Sequence, residues 1–236
     1  METKKTSLYQ LHQDCNAKFV DFAGYQMPIQ YSEGIVEEHK FTRNHSGIFD
    51  VSHMGQFRIS GLGSEEFLQK LLINDITKLK IGDAQYTAMC NFDGGVIDDM
   101  ILYKEKKSFL LIVNASNIDK NFDWMSKMNL SQNVNLNNIS NQNSLIALQG
   151  PNSRKTLESV LNQNISNDFY TFIEVSYKNS KIFISRTGYT GELGFEIMAS
   201  NETIQFLWDE FIDIDVKPCG LASRDILRIE MKYCLY

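Results

Sequence analysis

One hairpin constrains this chain more than any other feature. AQYTAMC alternates apolar and polar residues, NFDGG supplies glycines for a tight reversal, and VIDDMILY resumes as a strand, so residues 84–103 read as two antiparallel runs. Neighbouring side chains of a strand point to opposite faces. Asp99, Ile101 and Tyr103 therefore share one face, and Asp98, Met100 and Leu102 the other. The two aspartates form no proton-sharing dyad. A carboxylate on the Ile101 side is costly unless it has donors or a cationic ligand, which makes Asp99 the candidate functional acid. The alternative is an aspartate that accepts turn N–H groups after the GG reversal, a role that fits Asp98 better.

The rest of the chain surrounds this hairpin with helices and further strands. Residues 33–45 carry Ile35, Val36 and His39 at helical spacing, with Gly47 placed to close the helix in a left-handed conformation. Phe57 and Ile59 mark a strand, and Phe67, Leu68, Leu71 and Leu72 line a helix that starts at Ser64. FLLIVN reads as a strand buried on both faces. Ser116 and Asp119 make a capping-box-like start to a helix with Ile118, Phe122 and Met125 inward. Residues 129–143 are Asn-rich, with a weak strand signal at VNL, and form a seam before the clean run SLIAL. QGPN turns into a helix with Leu157, Val160 and Leu161 inward. FIEVSY and KIFIS pair across KNS, and TGYTGELGFEIM reads as glycine-punctuated strand. Ile204, Leu207, Trp208 and Phe211 give one more amphipathic helix, and Ile226, Leu227 and Glu230 a last one. Strands grouped in hairpins, without a regular strand-helix-strand alternation or a short internal repeat, indicate an α+β fold with mainly antiparallel sheets and flanking helices.

Composition narrows the function classes. The 236 residues are 43% hydrophobic and carry a net charge of -6, with both signs scattered and no basic stripe interleaved with aromatics. A sizeable core follows, and nucleic acid is excluded as a partner. No apolar run approaches the roughly 20 residues of a membrane span, and METKKTSLYQ lacks signal or transit character, so a cytoplasmic location is expected. Cys15, Cys90, Cys219 and Cys234 lie far apart, and the four histidines show no HExxH spacing; no protein metal site and reduced structural thiols are expected, Cys234 as an ordinary buried thiol.

Beyond the hairpin, SRTGYTGELGFEI concentrates glycines, a tyrosine and carboxylates, which suits close approach of backbone to a flat ligand or a hairpin with ordinary turn glycines. Glu196, between Phe195 and Ile197, reads as a recessed acid able to pair with a ligand amidine, or as a solvent-facing strand glutamate. Arg224, at the start of the GLASRD helix, either binds a carboxylate at two points or pairs with a neighbouring acid. His53 reads as a satisfied structural hydrogen bonder.

DFAGYQMPIQY, GIFDVSHMG, YTAMCNFDGGVIDDMILY, LIVNASN, ALQGP, SRTGYTGELGFEI and KPCGLASRDILRIE together resemble the aminomethyltransferase, or T-protein, of the glycine cleavage system. The resemblance runs nearly the length of the chain. It implies transfer of the one-carbon unit from the aminomethyl-lipoyl arm of the H-protein to tetrahydrofolate as co-substrate, with release of ammonia and no metal. Carried over by motif, Asp99 is the catalytic carboxylate, Glu196 and Arg224 are folate contacts, Tyr86, Asn114 and Tyr189 lie around the folate, and Met54 is a further contact. The implied architecture has a discontinuous first domain (1–51 plus 140–236), a second domain inserted at 52–139, and a third, C-terminal barrel domain that this chain lacks. The apolar end MKYCLY is then expected to lower solubility or activity. Paralogues of the same fold are set apart by other features: sarcosine and dimethylglycine dehydrogenases by an oxidase partner domain, and the related iron-sulfur assembly factor by a KGCYxGQ-like segment where this chain reads EMKYCLY. An inactive folate-binding fragment is the remaining alternative.

Overall fold

The computed structural model describes residues 3–130 and 133–236, so residues 131 and 132 of the Asn-rich stretch lie outside the described residues. Contacts divide the chain into two units. The first holds the chain up to His53, Gln142–Phe169 and Ile173–Leu235; the second holds Met54–Asn141, Tyr170–Phe172 and Tyr236.

The first unit begins with β1 (Lys4–Lys5), α1 (Tyr9–Asp14), β2 (Lys18–Phe22) and β3 (Tyr25–Gln30), whose strands form a small sheet in the order β1-β3-β2. Ala23 and Gly24 take positive φ to turn β2 into β3. α2 (Ile35–Asn44) then leads into β4 (Gly47–Asp50). The expected helix is present, but Gly47 does not close it. It opens β4, where a Cβ would meet the Thr42 hydroxyl and lie 2.7 Å from Cys219 Sγ, so close packing and not a left-handed turn requires glycine.

The second unit contains β5 (Gly55–Ser60), α3 (Ser64–Leu71), β6 (Ala84–Cys90), β7 (Val96–Lys104), β8 (Ser108–Val113), α4 (Ile118–Met128) and β9 (Asn135–Asn138). Its sheet has the order β6-β7-β8-β5-β9 with antiparallel pairing throughout. The β6–β7 hairpin matches the sequence reading, and Asn91 holds its turn by accepting the N–H groups of Asp93 (3.0 Å) and Gly95 (2.8 Å). No side chain of Ser116 or Asp119 caps α4. A short 3₁₀ turn, Ala115–Asn117, precedes it and takes over the end of the helix. Phe57, Ile59, Leu68, Met100, Leu102, Leu111 and Met125 fill the core of this unit.

The chain then adds β10 (Asn143–Gln149), α5 (Ser153–Leu161), β11 (Phe172–Tyr177), β12 (Ser180–Ser185), β13 (Gly194–Ser200), α6 (Asn201–Asp213), β14 (Lys217–Pro218) and α7 (Leu221–Glu230). The larger sheet runs β11-β12-β13-β10-β4-β14, antiparallel at β12/β13, β13/β10 and β10/β4 and parallel at β4/β14. The stretch read as one glycine-punctuated strand is strand only from Gly194; Thr187–Leu193 is loop, with Gly191 at φ 79°. Ile204, Leu207, Trp208 and Phe211 of α6 are fully buried against Ile146, Leu148, Phe195 and Ile197, and each such side chain contributes about 1.5–3 kcal/mol relative to exposure. Among the described residues no helix is long and apolar enough to cross a membrane.

Candidate functional site

In the second unit the hairpin register sets the geometry. Tyr86 stands opposite Ile101 and Ala88 opposite Asp99, so Tyr86 reaches Asp99 diagonally on the same face. Its hydroxyl donates to Asp99 Oδ2 at 2.5 Å, and Asn114 Nδ2, just beyond the end of β8, donates to Asp99 Oδ1 at 2.7 Å. Three residues named from the sequence are thus brought together, and Asp99 is partly exposed among them.

Asp98 departs from the expectation of a turn role. It is the fully buried member of the pair, and it accepts four N–H groups, from Asn114 N and Nδ2, Asn117 Nδ2 and Asn121 Nδ2. The core covered by α4 lies on the Met100 and Leu102 side, so the cost of burying a carboxylate falls on Asp98 and is met by amides. Asn117 and Asn121 were missed from the sequence, although their spacing of four puts them on one side of the helix start, with Asn114 in extended backbone just ahead of the 3₁₀ turn. Met54, partly buried, lies in the turn before β5.

In the first unit Glu196 points from β13 with partial exposure and accepts the hydroxyl of Thr187, which also bonds Ser185 Oγ at 2.7 Å. Arg224 lies on α7 with its guanidinium 4.9 Å from the centre of the Tyr189 ring, and Nη1 is buried without a partner. Burial holds the Arg224 pKa below its ordinary value, while the charges of Glu196 and Tyr189 pull it back up. The Tyr189 ring stacks on Tyr233, and its hydroxyl donates to the carbonyl of Cys234. Cys234 itself is exposed, not the buried thiol expected, because it follows the end of α7 with only its carbonyl engaged by Tyr189. A cleft of about 170 Å³ lies along the same loop, lined by Arg186, Thr187, Gly188, Gly191, Glu192 and Tyr233 among others.

Three supports of this region escaped the sequence reading. Gln149, fully buried at the end of β10, donates to the carbonyl of Thr187 at 3.2 Å and accepts the Thr190 hydroxyl at 2.8 Å. Gly188 and Gly194 lie against it, so that a Cβ on Gly188 would be 2.6 Å from Gln149 Cδ. Its signal was a polar residue closing the apolar run SLIAL. Arg43 of α2 donates to the Thr190 carbonyl (2.6 Å), Glu192 (2.9 Å), the Leu227 carbonyl (3.2 Å) and Glu230 (2.5 Å), fastening the Tyr189 loop to α7. Glu38, buried on α2, accepts Gly220 N at 2.8 Å and Ser223 Oγ at 3.0 Å and so anchors the first turn of α7, which carries Arg224.

His53 is not the satisfied hydrogen bonder expected of it. It is buried between the rings of Phe22 and Tyr25 with Nδ1 unpartnered, and burial pulls its pKa down to about 4, Asp50 opposing and Arg224 reinforcing the shift. Asp50 in turn is bonded by Thr6 (2.7 Å), His12 (2.9 Å) and Ser52 N (2.8 Å), and His12 by Tyr31 (3.0 Å). Burial raises the Asp50 pKa, but these bonds outweigh it and leave the pKa lowered. Among the described residues no group of three or more His, Cys, Asp or Glu is placed to hold a metal ion.

Comparison with known proteins decides the family. The sequence pattern of the GCVT N-terminal domain matches residues 8–236. The chain belongs to the GCVT N-terminal domain family. Aminomethyltransferases of Halothermothrix orenii and Thermosipho melanesiensis are 44% and 45% identical to it over 99% of its length, covering 66% and 65% of their own. This GCVT-family chain therefore spans just under two thirds of the length of these relatives. The crystal structure of glycine cleavage system aminomethyltransferase T from Bartonella henselae superposes with a TM-score of 0.92 at 36% identity, over 99% of this chain and 64% of that one. A heterotetrameric sarcosine oxidase from a Corynebacterium, at 12% identity and a TM-score of 0.53, over 82% of this chain and 92% of that one, shares the fold alone.

Proposed function

We propose that this chain carries the machinery of tetrahydrofolate-dependent aminomethyl transfer, moving the one-carbon unit from the aminomethyl-lipoyl arm of the H-protein of glycine cleavage to tetrahydrofolate in the cytoplasm. The observation that carries this reading is the Asp99 carboxyl, held on one oxygen by Tyr86 and on the other by Asn114. A carboxylate fixed at both oxygens is pre-organised for charge that develops in a reaction.

The residues present fit a pterin. Glu196 offers a recessed carboxylate suited to the amidine-like edge of the ring, Arg224 has a buried unpaired N–H group for a carbonyl or carboxylate, and Tyr189 offers an aromatic wall. Tetrahydrofolate supplies the nucleophilic nitrogen that takes the carbon, while the lipoyl sulfur departs as a thiol and nitrogen leaves as ammonia. Asp99 stabilises the positive charge that develops as ammonia leaves and orients the attacking nitrogen. Tyr86 and Asn114 hold Asp99 in place, and Met54 is a further folate contact.

Asp99→Asn tests the proposal, because it keeps the shape of the side chain and removes its charge. Tetrahydrofolate binding is measured by calorimetry, and ammonia release with aminomethyl-loaded H-protein. The expected result is binding within about threefold of the parent and turnover reduced at least about a hundredfold. Near-normal turnover with folate bound overturns the role of Asp99, and binding by the parent chain without ammonia release marks it as a folate-binding module.

A further inference from the structure

The Asp98 carboxyl is a larger investment than a structural strand position calls for. It is fully buried on the core face of β7 beside Met100 and Leu102, where an apolar side chain would escape the desolvation cost of a carboxyl. Both of its oxygens are bonded by amides: Oδ1 by Asn114 Nδ2 (2.8 Å) and Asn117 Nδ2 (2.7 Å), and Oδ2 by Asn114 N (3.2 Å) and Asn121 Nδ2 (2.5 Å). A group that only accepts matches four donors, and an amide in its place would turn N–H against N–H.

The consequence for Asn114 is specific. Its Nδ2 carries two hydrogens and faces Asp98 Oδ1 at 2.8 Å, Asp99 Oδ1 at 2.7 Å and the Asp99 carbonyl at 3.1 Å. One hydrogen goes to Asp98, so the other is directed to Asp99, and the Asn114 amide is prevented from flipping its oxygen toward the Asp99 carboxylate. Asn114 is also fixed through its backbone, since its N–H goes to the same buried carboxyl. With Tyr86 on Oδ2, this sets the rotation of the Asp99 side chain.

We infer that Asp98 is a positioning residue that acts through Asn114 to aim Asp99. The inference rests on the reading of Asp99 as the reacting carboxylate. In this role the adjacent aspartates divide the work by face: one is buried and sets geometry, and its neighbour is partly exposed and meets the substrate.

A double-mutant cycle on the full chain tests this. Asp98→Asn, Asn114→Ala and the double variant are checked for folding by circular dichroism. The Asp99 χ1 rotamer is then read by NMR from three-bond couplings, and kcat and KM for tetrahydrofolate are measured with aminomethyl-loaded H-protein. The expected parent shows one Asp99 rotamer. Each single variant averages rotamers and loses about tenfold in kcat with KM within about twofold, and the double variant loses no more than the worse single one. A folded Asp98→Asn variant that keeps a single Asp99 rotamer overturns the inference, as does a double variant whose loss is the product of the two.

Should Asp98→Asn not fold, Asn117→Ala removes one donor from Asp98 and carries the same readout, with a smaller effect in the same direction; an unmoved Asp99 rotamer there overturns the inference. Asp99→Asn run alongside separates the two possible failures. Normal turnover in that variant removes the functional reading and leaves the rotamer to decide the positioning role. A dead Asp99→Asn variant beside an unaffected Asp98→Asn variant removes only the positioning role.

Discussion

The polar cluster around Asp98 and the one around Arg224 solve opposite problems with similar parts. At Asp98 a buried carboxyl has both oxygens occupied by backbone and side-chain amides of its own unit. At Arg224 and His53 the buried groups are nitrogens, and Arg224 Nη1 and His53 Nδ1 have no protein partner. The Asp98 carboxyl itself is saturated, although Asn121 Oδ1 beside it is buried without a partner, and it holds its geometry before anything binds. Buried nitrogens left unpaired cost stability and leave room for a contact from outside the protein. Under the proposed function, rate belongs to the first and affinity to the second.

The largest expected break in this contrast is at Arg224. Arg224→Ala removes a buried, charged donor, and tetrahydrofolate binding measured by calorimetry should weaken about thirtyfold, or ~2 kcal/mol, with kcat at saturation changed far less. If kcat falls and affinity holds, the two clusters have been assigned the wrong way round.

His53 gives the next effect, and its sign follows from its low pKa. The folded protein keeps the imidazole neutral down to about pH 4, whereas the unfolded chain takes up a proton below about 6.5. The unfolded state therefore binds more protons between these values. Stability from this group is complete above about pH 6.5 and is lost as pH falls toward 4. In urea titrations, His53→Gln should remove about 1.4 kcal/mol of the stability difference between about pH 7.5 and about pH 5.5. An unchanged pH slope would show that His53 is not kept neutral by burial.

Arg43→Lys is the mildest case. Lysine keeps the charge but cannot span Thr190, Glu192, Leu227 and Glu230 together, and these ion pairs are partly exposed. Melting should report a loss below about 1 kcal/mol, while folate affinity falls about threefold because the Tyr189 loop is less firmly tied to α7. A large stability loss without an affinity change would make Arg43 a fold residue only.

The contrast between the clusters was only partly legible in the sequence. Alternation separated Asp98 from Asp99 correctly, because a strand fixes it locally. Which face the core would cover was not local: Ile101 and Tyr103 on one side are as apolar as Met100 and Leu102 on the other, and α4 settles the matter by packing against β7. The burial cost assigned to Asp99 therefore belonged to its neighbour. The helices at Ser64 and Asn201 were readable from apolar spacing, which depends on one face of one element. The contacts of Gln149, Arg43 and Glu38 were not readable, even where Gln149 stood out as a polar end to an apolar run, since each acts by joining segments far apart in the chain. Gly47 looked like a helix stop because it follows one, and only Thr42 and Cys219 reveal that space is what it supplies. His53 was misjudged for a related reason: a lone histidine gives no local sign that one nitrogen will be left unpartnered.

The contact of Gln149 with Gly188 and Gly194 has a consequence for how this sequence can vary. One amide side chain fills the space that a methyl group at either glycine would need, and Gly188 and Gly194 lie on either side of the loop residues Tyr189 and Glu192. The three positions form a single steric unit. A Cβ at either glycine requires the Gln149 amide to move, and moving or shortening Gln149 disturbs the bonds to Thr187 and Thr190. A change at one of the three positions is therefore felt at the other two, and the loop sequence is coupled to a neighbour that need not touch any substrate.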